Sequence, residues 1–307
     1  MGKKVVVFGS FAMDLTARVP SIPREGETVL GSSFAMGPGG KGSNQAVAAH
    51  RAGADVTLIT KVGRDAFGEA ARAFYKMEGM RMDCVLSGDV GTGCALIAVD
   101  ERTAQNAIVV VSGACGAITA EDVESCRSAV EGAGVVLTQL ETNYDAVCRV
   151  IDIASAAGAR IVLNPAPAGK LPPEYMKKLD VVTPNETEAE LITGLPMRTK
   201  QDAPAAARML LAMGVKAALI TLGKNGAYAT DGRISRWIEP IAVEAVDTTG
   251  AGDAFNGAFA AALAAGMDLF EAARYGNAAG TLCVTKSGTA PAMPYRGQIE
   301  DLFHRSR

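Results

Sequence analysis

Short runs of Val, Ile and Leu alternate along this 307-residue chain with Ala-rich segments whose apolar residues recur at helical spacing. Because the runs are apolar without interruption, we expect each strand to be buried on both faces, as in a parallel sheet covered by helices. The pattern predicts an α/β fold with a doubly wound, mostly parallel sheet and helices on both faces. The predicted strands are Lys4–Gly9, Val56–Val62, Val135–Leu140, Arg160–Leu163, Val181–Thr183 and Lys216–Leu222. The predicted helices are Ser43–Ala52, Ala66–Glu78, Thr119–Glu131, Tyr144–Ala157, Glu186–Thr193 and Asp202–Met213.

Two inserted segments interrupt this alternation. The first, at about residues 15–36, begins with apolar and polar residues in turn; the second, at about 93–111, has two apolar runs that flank the turn-rich Asp100–Ala104. Such alternation is typical of half-exposed antiparallel strands. We therefore expect a single domain over residues 1–307, with a small β-lid formed by the two segments. The lid could cover a cleft or pair with a second copy of the chain.

The composition is that of a globular protein with a large core, since 49% of the residues are hydrophobic and 21% are charged. The net charge is −3 and no basic block stands out, which argues against nucleic acid or a membrane surface as the main partner. No apolar run reaches the ~18–20 residues of a membrane span. The segment Met1–Phe8 is predicted to be a first strand rather than a signal peptide, so we expect a cytoplasmic protein.

The cysteine and histidine pattern does not favour a zinc site. There is no C-x-x-C pair, and the only histidines, His50 and His304, are not close to a cysteine in sequence. Reduced and mostly buried thiols are expected instead, as in cytoplasmic proteins. The six cysteines are Cys84, Cys94, Cys115, Cys126, Cys148 and Cys283.

The stretch Val246–Ala258 contains a glycine-rich turn that opens a helix. Gly250, Ala251 and Gly252 come just before a carboxylate, Asp253, which leads into an Ala-rich helical segment. Such a turn leaves backbone N–H groups pointing at one spot, with the positive end of the helix dipole behind them, so the spot can hold an anion. A carboxylate in the same turn can take a proton from a hydroxyl. An anion hole beside a general base suggests phosphoryl transfer to an alcohol.

A second glycine-rich stretch, Gly37–Ala46, also opens a predicted helix and contains Gly40, Lys41 and Asn44. Glycines let the backbone approach a ligand closely, and the Asn44 amide can both donate to and accept from a polyhydroxy compound. The stretch resembles a Walker A loop only superficially, because Lys41 is followed by Gly42 rather than by Ser or Thr. A flexible loop with a helix cap is the alternative.

Further polar groups follow the predicted strands. Asp14 lies after the first strand, Glu141 after the third, Asn185 at an acidic helix start, and Thr221–Gly226 in a strand end with two glycines. Taken alone, each has a plain structural explanation as a turn cap, a helix start favoured by the dipole, or a hairpin turn. Near a triphosphate, acids and amides of this kind could hold magnesium. Because the carboxyl ends of parallel strands meet at one edge of a sheet, we expect these groups to share a site.

These motifs, in this order, resemble the ribokinase (PfkB) family of carbohydrate kinases over nearly the full chain. The two strongest stretches are GGKGSNQAVAAHRAGADV from Gly39 and VDTTGAGDAFNGA from Val246. Three more are similar to the ribokinase branch of the family: NPAPAGKLP from Asn164, TPNETEAELITG from Thr183 and ITLGKNGAY from Ile220.

The resemblance implies ATP-dependent phosphorylation of a sugar's primary hydroxyl, from ribose to ribose 5-phosphate. It also implies that the β-lid clasps the lid of a partner in a homodimer. Asp253 would be the general base, and the backbone of Gly250, Ala251 and Gly252 would form the anion hole. The sugar would be held by Asp14, Gly40, Lys41, Asn44 and Glu141, together with Asp253.

The same resemblance implies sites for the nucleotide and for ions. The nucleotide would contact Asn185, Thr221, Gly223, Gly226, Gly252 and Asn277. Magnesium would accompany ATP, linked to a motif formed by Asn185 and Glu188. A monovalent cation, usually potassium, would lie beside the anion hole, mostly on backbone carbonyls. The matching positions are Asp247, Thr249, Cys283, Lys286, Gly288 and Ala292.

Two departures from the family pattern leave the substrate and one ligand of the cation open. Ala12 stands where the family usually has Asn, which removes a donor and an acceptor for a sugar hydroxyl, and Ala292 replaces a frequent Ser, so that one cation ligand could be lost or replaced by water. Deoxyribose, fructose or a nucleoside is therefore an alternative substrate. A catalytically silent sugar- or nucleotide-binding protein is a further alternative, against which Asp253 and the intact turn argue. A dinucleotide-binding oxidoreductase is not supported, because no G-x-G-x-x-G follows the first strand.

Overall fold

The apolar runs of the sequence form the centre of a sheet in the computed structural model, which describes residues 4–103 and 105–306. The strands in this part of the chain are β1 Lys4–Phe8, β2 Ala12–Val19, β3 Ser33–Gly39, β4 Val56–Gly63, β5 Val85–Gly88, β6 Cys94–Asp100, β7 Asn106–Val111, β8 Ala133–Thr138, β9 Arg160–Leu163, β10 Val181–Val182, β11 Ala217–Thr221, β12 Ala227–Thr230 and β13 Ser235–Ile238. The α-helices are α1 Lys41–Arg51, α2 Ala66–Met77, α3 Ala120–Ser125, α4 Arg127–Glu131, α5 Tyr144–Ala156, α6 Pro173–Met176, α7 Glu186–Thr193, α8 Ala203–Ala212, α9 Ala251–Ala264, α10 Leu269–Cys283 and α11 Arg296–Arg305.

The larger sheet has nine strands within the described residues, in the order β13-β12-β11-β10-β9-β8-β1-β4-β5. All neighbours from β11 to β5 are parallel, and β12 and β13 add antiparallel strands at one edge. Alternate residues of β1 enter two different cores: Val5 and Val7 pack on one face, Val6 and Phe8 on the other. The predicted doubly wound, mostly parallel sheet is therefore confirmed.

A separate four-stranded sheet has the order β3-β2-β6-β7 and is built from the two inserted segments. Asp14 on β2 lies between Gly37 of β3 and Ala95 of β6 in the register of this sheet. The predicted small β-lid thus has its counterpart in the structure, although β2 begins before the predicted segment and β3 ends after it. Ala104, the last residue of the predicted turn, lies outside the described residues. The division into one domain and a lid stays a prediction.

The structure differs from the prediction in the region of residues 119–131. The sequence predicts one helix there, whereas the structure has α3 and α4 separated at Cys126, whose φ of −106° and ψ of 11° are not helical. Val123, Cys126 and Val130 all enter the same core. Because their spacing of three and four residues is that of a continuous helix, the apolar pattern could not reveal the break.

Two glycines bring the helices of the site into close contact with their neighbours. A Cβ atom at Gly42 would lie 2.4 Å from the carbonyl carbon of Gly9, so only glycine lets the first turn of α1 lie against the end of β1. A Cβ atom at Gly257 of α9 would lie 2.3 Å from the carbonyl oxygen of Gln45. The direct contact between α1 and α9 therefore places the side chains of α1 next to the first turn of α9.

Residues 4–103 and 105–306 contain neither a membrane-spanning helix nor a metal-binding cluster of side chains. None of the helices in that part of the chain combines the length and apolar character required to cross a membrane. No group of three or more His, Cys, Asp or Glu side chains with metal-binding geometry occurs there either.

Candidate active site

Carboxylates and a lysine meet beyond the carboxyl ends of β1 and β8. The Lys41 ammonium at the start of α1 lies 3.1 Å from Glu141 Oε1, three residues beyond the end of β8. Asp253, the third residue of α9, and Asp14 on β2 are near enough to this pair to shift one another's pKa. The predicted convergence of these four residues at one edge of the sheet is what the structure shows.

The first turn of α9 carries the predicted anion hole. Gly250 precedes the helix with a left-handed φ of 78°, and no side chain caps the N-terminus. The first N–H groups of an α-helix have no intrahelical acceptor. That of Ala251 donates to the carbonyl of Thr248 over 3.3 Å, whereas those of Gly252 and Asp253 are positioned to bind an anion. A Cβ atom at Gly252 would meet no atom within 4 Å, which leaves open space beside this turn. The geometry fits an oxyanion or a phosphate group.

Two amides of α1 hold the carboxylate of Asp253. Asn44 Nδ2 donates to Oδ2 and Gln45 Nε2 donates to Oδ1, each over 2.9 Å. Burial raises the pKa of Asp253, and the charge of Lys41 and the two amide hydrogen bonds oppose the rise. A carboxylate whose pKa is raised in this way is a better proton acceptor than an exposed one, as a general base requires.

Lys41 and Glu141 form a partly buried pair supported by Ser10. The Ser10 hydroxyl donates to Glu141 Oε2 over 2.5 Å, and the backbone N–H of Lys41 donates to the same oxygen over 3.2 Å. Burial alone would lower the pKa of Lys41, but the charges of Glu141 and Asp253 outweigh it, so the pKa is raised and the ammonium stays charged. The site thus holds one fixed positive charge among acids.

Asp14 is a half-buried carboxylate on β2. Burial, together with the nearby charge of Asp253, raises the pKa of Asp14 to about 6. A hydrogen bond from the Thr289 hydroxyl to Asp14 Oδ2, over 3.0 Å, opposes this rise. A Cβ atom at Gly39 would lie 2.3 Å from the Asp14 carboxylate, so the adjacent strand needs glycine there. Thr289 also lies 3.1 Å from the carbonyl of Pro38, which joins the loop after α10 to the lid.

Asn185 and Glu188 form a capping box at the start of α7. Asn185 Oδ1 accepts from the Glu188 N–H over 2.8 Å, and Glu188 Oε2 accepts from the Asn185 N–H over 2.9 Å. Asn185 Nδ2 also donates to Glu188 Oε1 over 3.0 Å. Burial raises the pKa of Glu188, while the hydrogen bond from Asn185 opposes the rise. The pair is therefore a defined structural unit at the sheet edge.

Of the other predicted nucleotide residues, the turn that begins at Thr221 lies beside this unit, and Asn277 lies against the segment after β13. The N–H of Thr221 donates to the carbonyl of Pro184 over 2.9 Å, which places the turn that contains Gly223 and Gly226 next to Asn185. A Cβ atom at Gly226 would lie 2.0 Å from the carbonyl oxygen of Ile238. On α10, Asn277 Nδ2 donates to the carbonyl of Glu239, just after β13, over 3.0 Å. These contacts line up the predicted positions along the ends of β10 and β11 and the segment after β13.

The predicted cation residues lie on two facing segments, 247–249 and 283–292. The Asp247 carboxylate accepts the N–H of Thr249 over 2.9 Å and that of Gly288 over 3.0 Å. Burial raises the pKa of Asp247, but these two hydrogen bonds outweigh it, so the pKa is lowered and the carboxylate is charged. The Cys283 thiol lies 3.9 Å from the carbonyl of Thr249, and the N–H of Lys286 donates to the carbonyl of Cys283 over 3.1 Å.

Ala292 lies in a turn that Arg51 holds from the end of α1. The Arg51 guanidinium donates to the carbonyls of Ala290, Pro291 and Met293 through one nitrogen, over 2.8–3.2 Å. The same guanidinium forms a bidentate pair with Glu78. Sequence reasoning missed Arg51, because a basic residue in the last turn of a helix is already explained by the helix dipole.

Sequence reasoning also missed three polar residues that support the site: Gln45, Gln139 and Thr289. Gln45 is adjacent to Asn44 in the second glycine-rich stretch and is fully buried, so a polar residue on the core face of a predicted helix was the available signal. Gln139 and Thr289 carry no comparable signal, because each reaches the site only through contacts between segments distant in sequence.

The site and the fold define a class of protein: the chain belongs to the pfkB family of carbohydrate kinases, whose model matches residues 2–296. The chain is 38% identical to a ribokinase of Haemophilus influenzae over 99% of this chain and 100% of that protein. It is 39% identical to a ribokinase of Staphylococcus aureus over 98% of this chain and 100% of that protein. Among solved structures, it resembles the Arabidopsis thaliana ribokinase complexed with ribose and ATP, with a TM-score of 0.89, 31% identity and 99% of each chain covered.

Proposed function

We propose that this kinase transfers the terminal phosphoryl group of ATP to the primary hydroxyl of ribose, which gives ribose 5-phosphate. The observation that carries the proposal is the position of Asp253. This residue lies in the first turn of α9, beside the helix N-terminus, and its carboxylate is held by the two amides of α1. The relatives named ribokinase, and the similar structure complexed with ribose and ATP, support ribose as the substrate.

In the proposed reaction, Asp253 takes the proton of the primary hydroxyl of the sugar. At the same time, the hydroxyl oxygen forms a bond to the terminal phosphorus of ATP. The bond from that phosphorus to the bridging oxygen breaks, and ADP leaves with the electron pair. We assign the stabilisation of the phosphoryl oxygens in the transition state to the N–H groups of the turn formed by Gly250, Ala251 and Gly252, of which that of Ala251 would leave the carbonyl of Thr248 to bind the phosphoryl group. The Lys41 ammonium neutralises part of the negative charge of the surrounding acids.

The sugar is proposed to lie among Asp14, Gly40, Lys41, Asn44 and Glu141. Asn44 Oδ1 is buried and has no hydrogen-bond partner within residues 4–103 and 105–306, although the same amide donates to Asp253. A buried acceptor of this kind is satisfied by a ligand hydroxyl, because leaving it unpaired is unfavourable. Ala12 adds no polar group to this pocket.

ATP is proposed to lie along Asn185, Thr221, Gly223, Gly226 and Asn277, with its terminal phosphate at Gly252. The charges of Lys41 and Asp253 act on the pKa of Glu188, so the three groups are within electrostatic range, and we assign the capping box to the side of the phosphate position. Its oxygen ligands suit magnesium held through water, since both side chains already bond each other. Magnesium bound with ATP supplies charge neutralisation at the phosphate oxygens.

A monovalent cation, proposed to be potassium, fits the segments beside the anion hole. Asp247 is charged, and the carbonyl of Thr249 has only the distant Cys283 thiol as a side-chain partner among the described residues. Ala292, Gly288 and Lys286 would bind the cation through their backbone carbonyl oxygens, since none of the three has a side-chain oxygen. A cation held there would stabilise the loop that leads into Gly250.

The substrate proposal predicts the outcome of an ADP-release assay with MgATP. Ribose should give the highest kcat/KM among ribose, 2-deoxyribose, fructose, adenosine and cytidine, and potassium should raise the rate with ribose above that in sodium. Reactions without sugar control for ATP hydrolysis. Preference for another sugar or for a nucleoside would assign a different substrate to the enzyme and would indicate Ala12 as the residue that changes the substrate preference. No turnover with any of them would favour the catalytically silent alternative.

We also propose that the lid forms a homodimer. Strand β7 is an edge strand with exposed apolar residues on both faces, and Leu96 of β6 pairs with Val109 of β7 on the face opposite Asp14. The exposed fractions are 50% for Leu96 and 61% for Val109. Contiguous exposed apolar surface of this kind marks an interaction site.

A cytoplasmic location, where ATP is available, is part of the proposal and can be checked by cell fractionation.

The dimer proposal predicts that Val109→Asp shifts the protein from dimer to monomer in sedimentation velocity, because a buried carboxylate would have no partner at the interface. The control is Val90→Asp, at a residue that is 51% exposed and lies outside the lid strands. A wild-type protein that sediments as a monomer at all concentrations tested would contradict the proposal.

A further inference from the structure

We infer that Gln45 is a positioning residue that orients the Asp253 carboxylate for catalysis. It is the middle member of a chain of three buried amides, Asn164, Gln45 and Gln139, and it donates to Asp253. The inference rests on the proposed role of Asp253 as the general base. Gln45 is fully buried, and its amide makes three hydrogen bonds to side chains of other segments. None of these bonds is needed to form α1 itself.

The direction of the amide chain is fixed by its far end. The carbonyl of Thr183 can only accept, so Asn164 must turn Nδ2 toward it, over 3.1 Å. Asn164 Oδ1 then faces Gln45 and can only accept from Nε2, over 3.0 Å. Nε2 has a second hydrogen, which is donated to Asp253 Oδ1 over 2.9 Å.

The opposite end of the Gln45 amide fits this direction but does not set it, because Gln139 Oε1 has no hydrogen-bond partner among the described residues and the Gln139 amide can face Gln45 with either group. Gln45 Oε1 accepts from Gln139 Nε2 over 2.6 Å, so the amide is held on both sides. If the amide were reversed, its oxygen would face two acceptors, Asn164 Oδ1 and the Asp253 carboxylate. The fold therefore sets the direction of the Gln45 N–H toward Asp253, and this direction does not depend on a bound sugar. Asn44 differs, because its Oδ1 has no partner among the described residues and can accept a hydrogen bond from the sugar.

The same chain of polar groups reaches the anion hole. The Thr183 hydroxyl donates to Asn256 Oδ1 over 2.6 Å, and Asn256 Nδ2 donates to the carbonyl of Gly252 over 2.8 Å. Both the base and the turn that binds the phosphoryl group are thus fixed to the ends of β9 and β10. Preorganised groups of this kind accelerate a reaction because they need not reorient in the transition state.

Asp253 also faces charged or titratable groups from other elements. They are Lys41 on α1, Glu141 after β8, Asp14 on β2, Glu188 on α7 and Cys283 on α10. Lys41 favours the charged carboxylate, whereas the acids disfavour it. The Gln45 N–H adds a neutral donor to the charged form, so its removal should make Asp253 harder to deprotonate while these groups stay in place.

The test compares Gln45→Met with Gln139→Met by ADP release over a range of pH. Gln45→Met keeps the length of the side chain but removes the donor, and we expect kcat to fall on the order of ten- to hundredfold, with little change in KM for ribose. The acid limb of kcat against pH should move to higher pH, so that part of the lost rate returns as pH rises.

Gln139→Met is the matched control, because Gln139 is buried and bonds Gln45 but does not contact Asp253. Gln139→Met leaves both hydrogen bonds of Gln45 Nε2 in place, so its kcat should fall less than that of Gln45→Met and its acid limb should move less, although both variants lose thermal stability. If Gln45→Met does not fold, Gln45→Asn replaces it, since the shorter side chain withdraws the amide from Asp253.

Equal losses of kcat and equal pH profiles in the two variants would overturn the inference. Asp253→Asn, assayed in parallel, separates this result from failure of the proposed function. If Asp253→Asn loses turnover while Gln45→Met does not, only the positioning role fails. If Asp253→Asn keeps turnover, the general base is another group and both proposals fail.

Discussion

Asp253→Asn is expected to lower kcat by about two to four orders of magnitude, which is the usual contribution of a positioned general base. The amide has the shape of the carboxylate, so the hydrogen bond from Asn44 and the helix N-terminus should be little disturbed, but an amide cannot take the hydroxyl proton. Ribose binding should persist. Steady-state kinetics of ADP release and calorimetric titration with ribose measure the two quantities.

The control for this variant is Asp268→Asn, at the start of the neighbouring helix α10. Asp268 Oδ1 accepts the N–H groups of Phe270 and Glu271, each over 2.9 Å, and Asn is an equally good residue at that position. Its kcat should match that of the wild type. If Asp253→Asn kept kcat within about tenfold of the wild type, a range far smaller than a general base contributes, another group would have to accept the proton.

Arg51→Met is expected to have the largest effect on stability. The side chains of Arg51 and Glu78 are only 7% and 9% exposed, and the guanidinium also holds the turn at residues 290–293. Removing one partner of a buried pair leaves the other charge uncompensated, which costs about 3–5 kcal/mol of unfolding free energy. Urea denaturation measures the loss. Arg296→Met, which breaks the exposed pair with Glu300, should cost less than about 1 kcal/mol.

The cost of Arg51→Met should depend on pH. The hydrogen bonds from Arg51 hold the pKa of Glu78 below its ordinary value of 4.5, so the pair stabilises the fold above that pH. As pH falls through the lowered pKa, Glu78 takes up a proton and the stabilisation is lost. The difference in unfolding free energy between wild type and variant should therefore shrink at acid pH. A difference that stays constant from neutral to acid pH would contradict the ion-pair explanation.

The fold class could be read from the sequence because apolar runs and helical periodicity are local signals. The sheet order, the two cores of β1 and the convergence at the strand ends all agree with that interpretation. Strands β12 and β13 were not predicted as part of the sheet, since a short hairpin gives the same signal as a turn. The break at Cys126 was invisible because its neighbours keep helical spacing.

The candidate site could be predicted where residues of chemical interest lie in glycine-rich motifs or follow predicted strands. Lys41 and Asp253 belong to glycine-rich stretches, Asp14 and Glu141 follow predicted strands, and the structure brings the four together. The partners of Gln45 and Thr289 in the site became visible only through contacts between segments that are 208 and 275 residues apart in sequence. Single-residue patterns contain no information on such contacts, so the second layer of the site required the fold.

Phosphorylation of the primary hydroxyl of ribose by ATP can be followed in the ³¹P NMR spectrum of the product that the wild-type enzyme forms from MgATP and ribose. A phosphate on the primary carbon couples to two protons, so we expect a triplet that grows as ADP forms and is absent with Asp253→Asn. A doublet from a phosphate on a ring carbon, or inorganic phosphate alone, would show that the primary hydroxyl of ribose is not the acceptor.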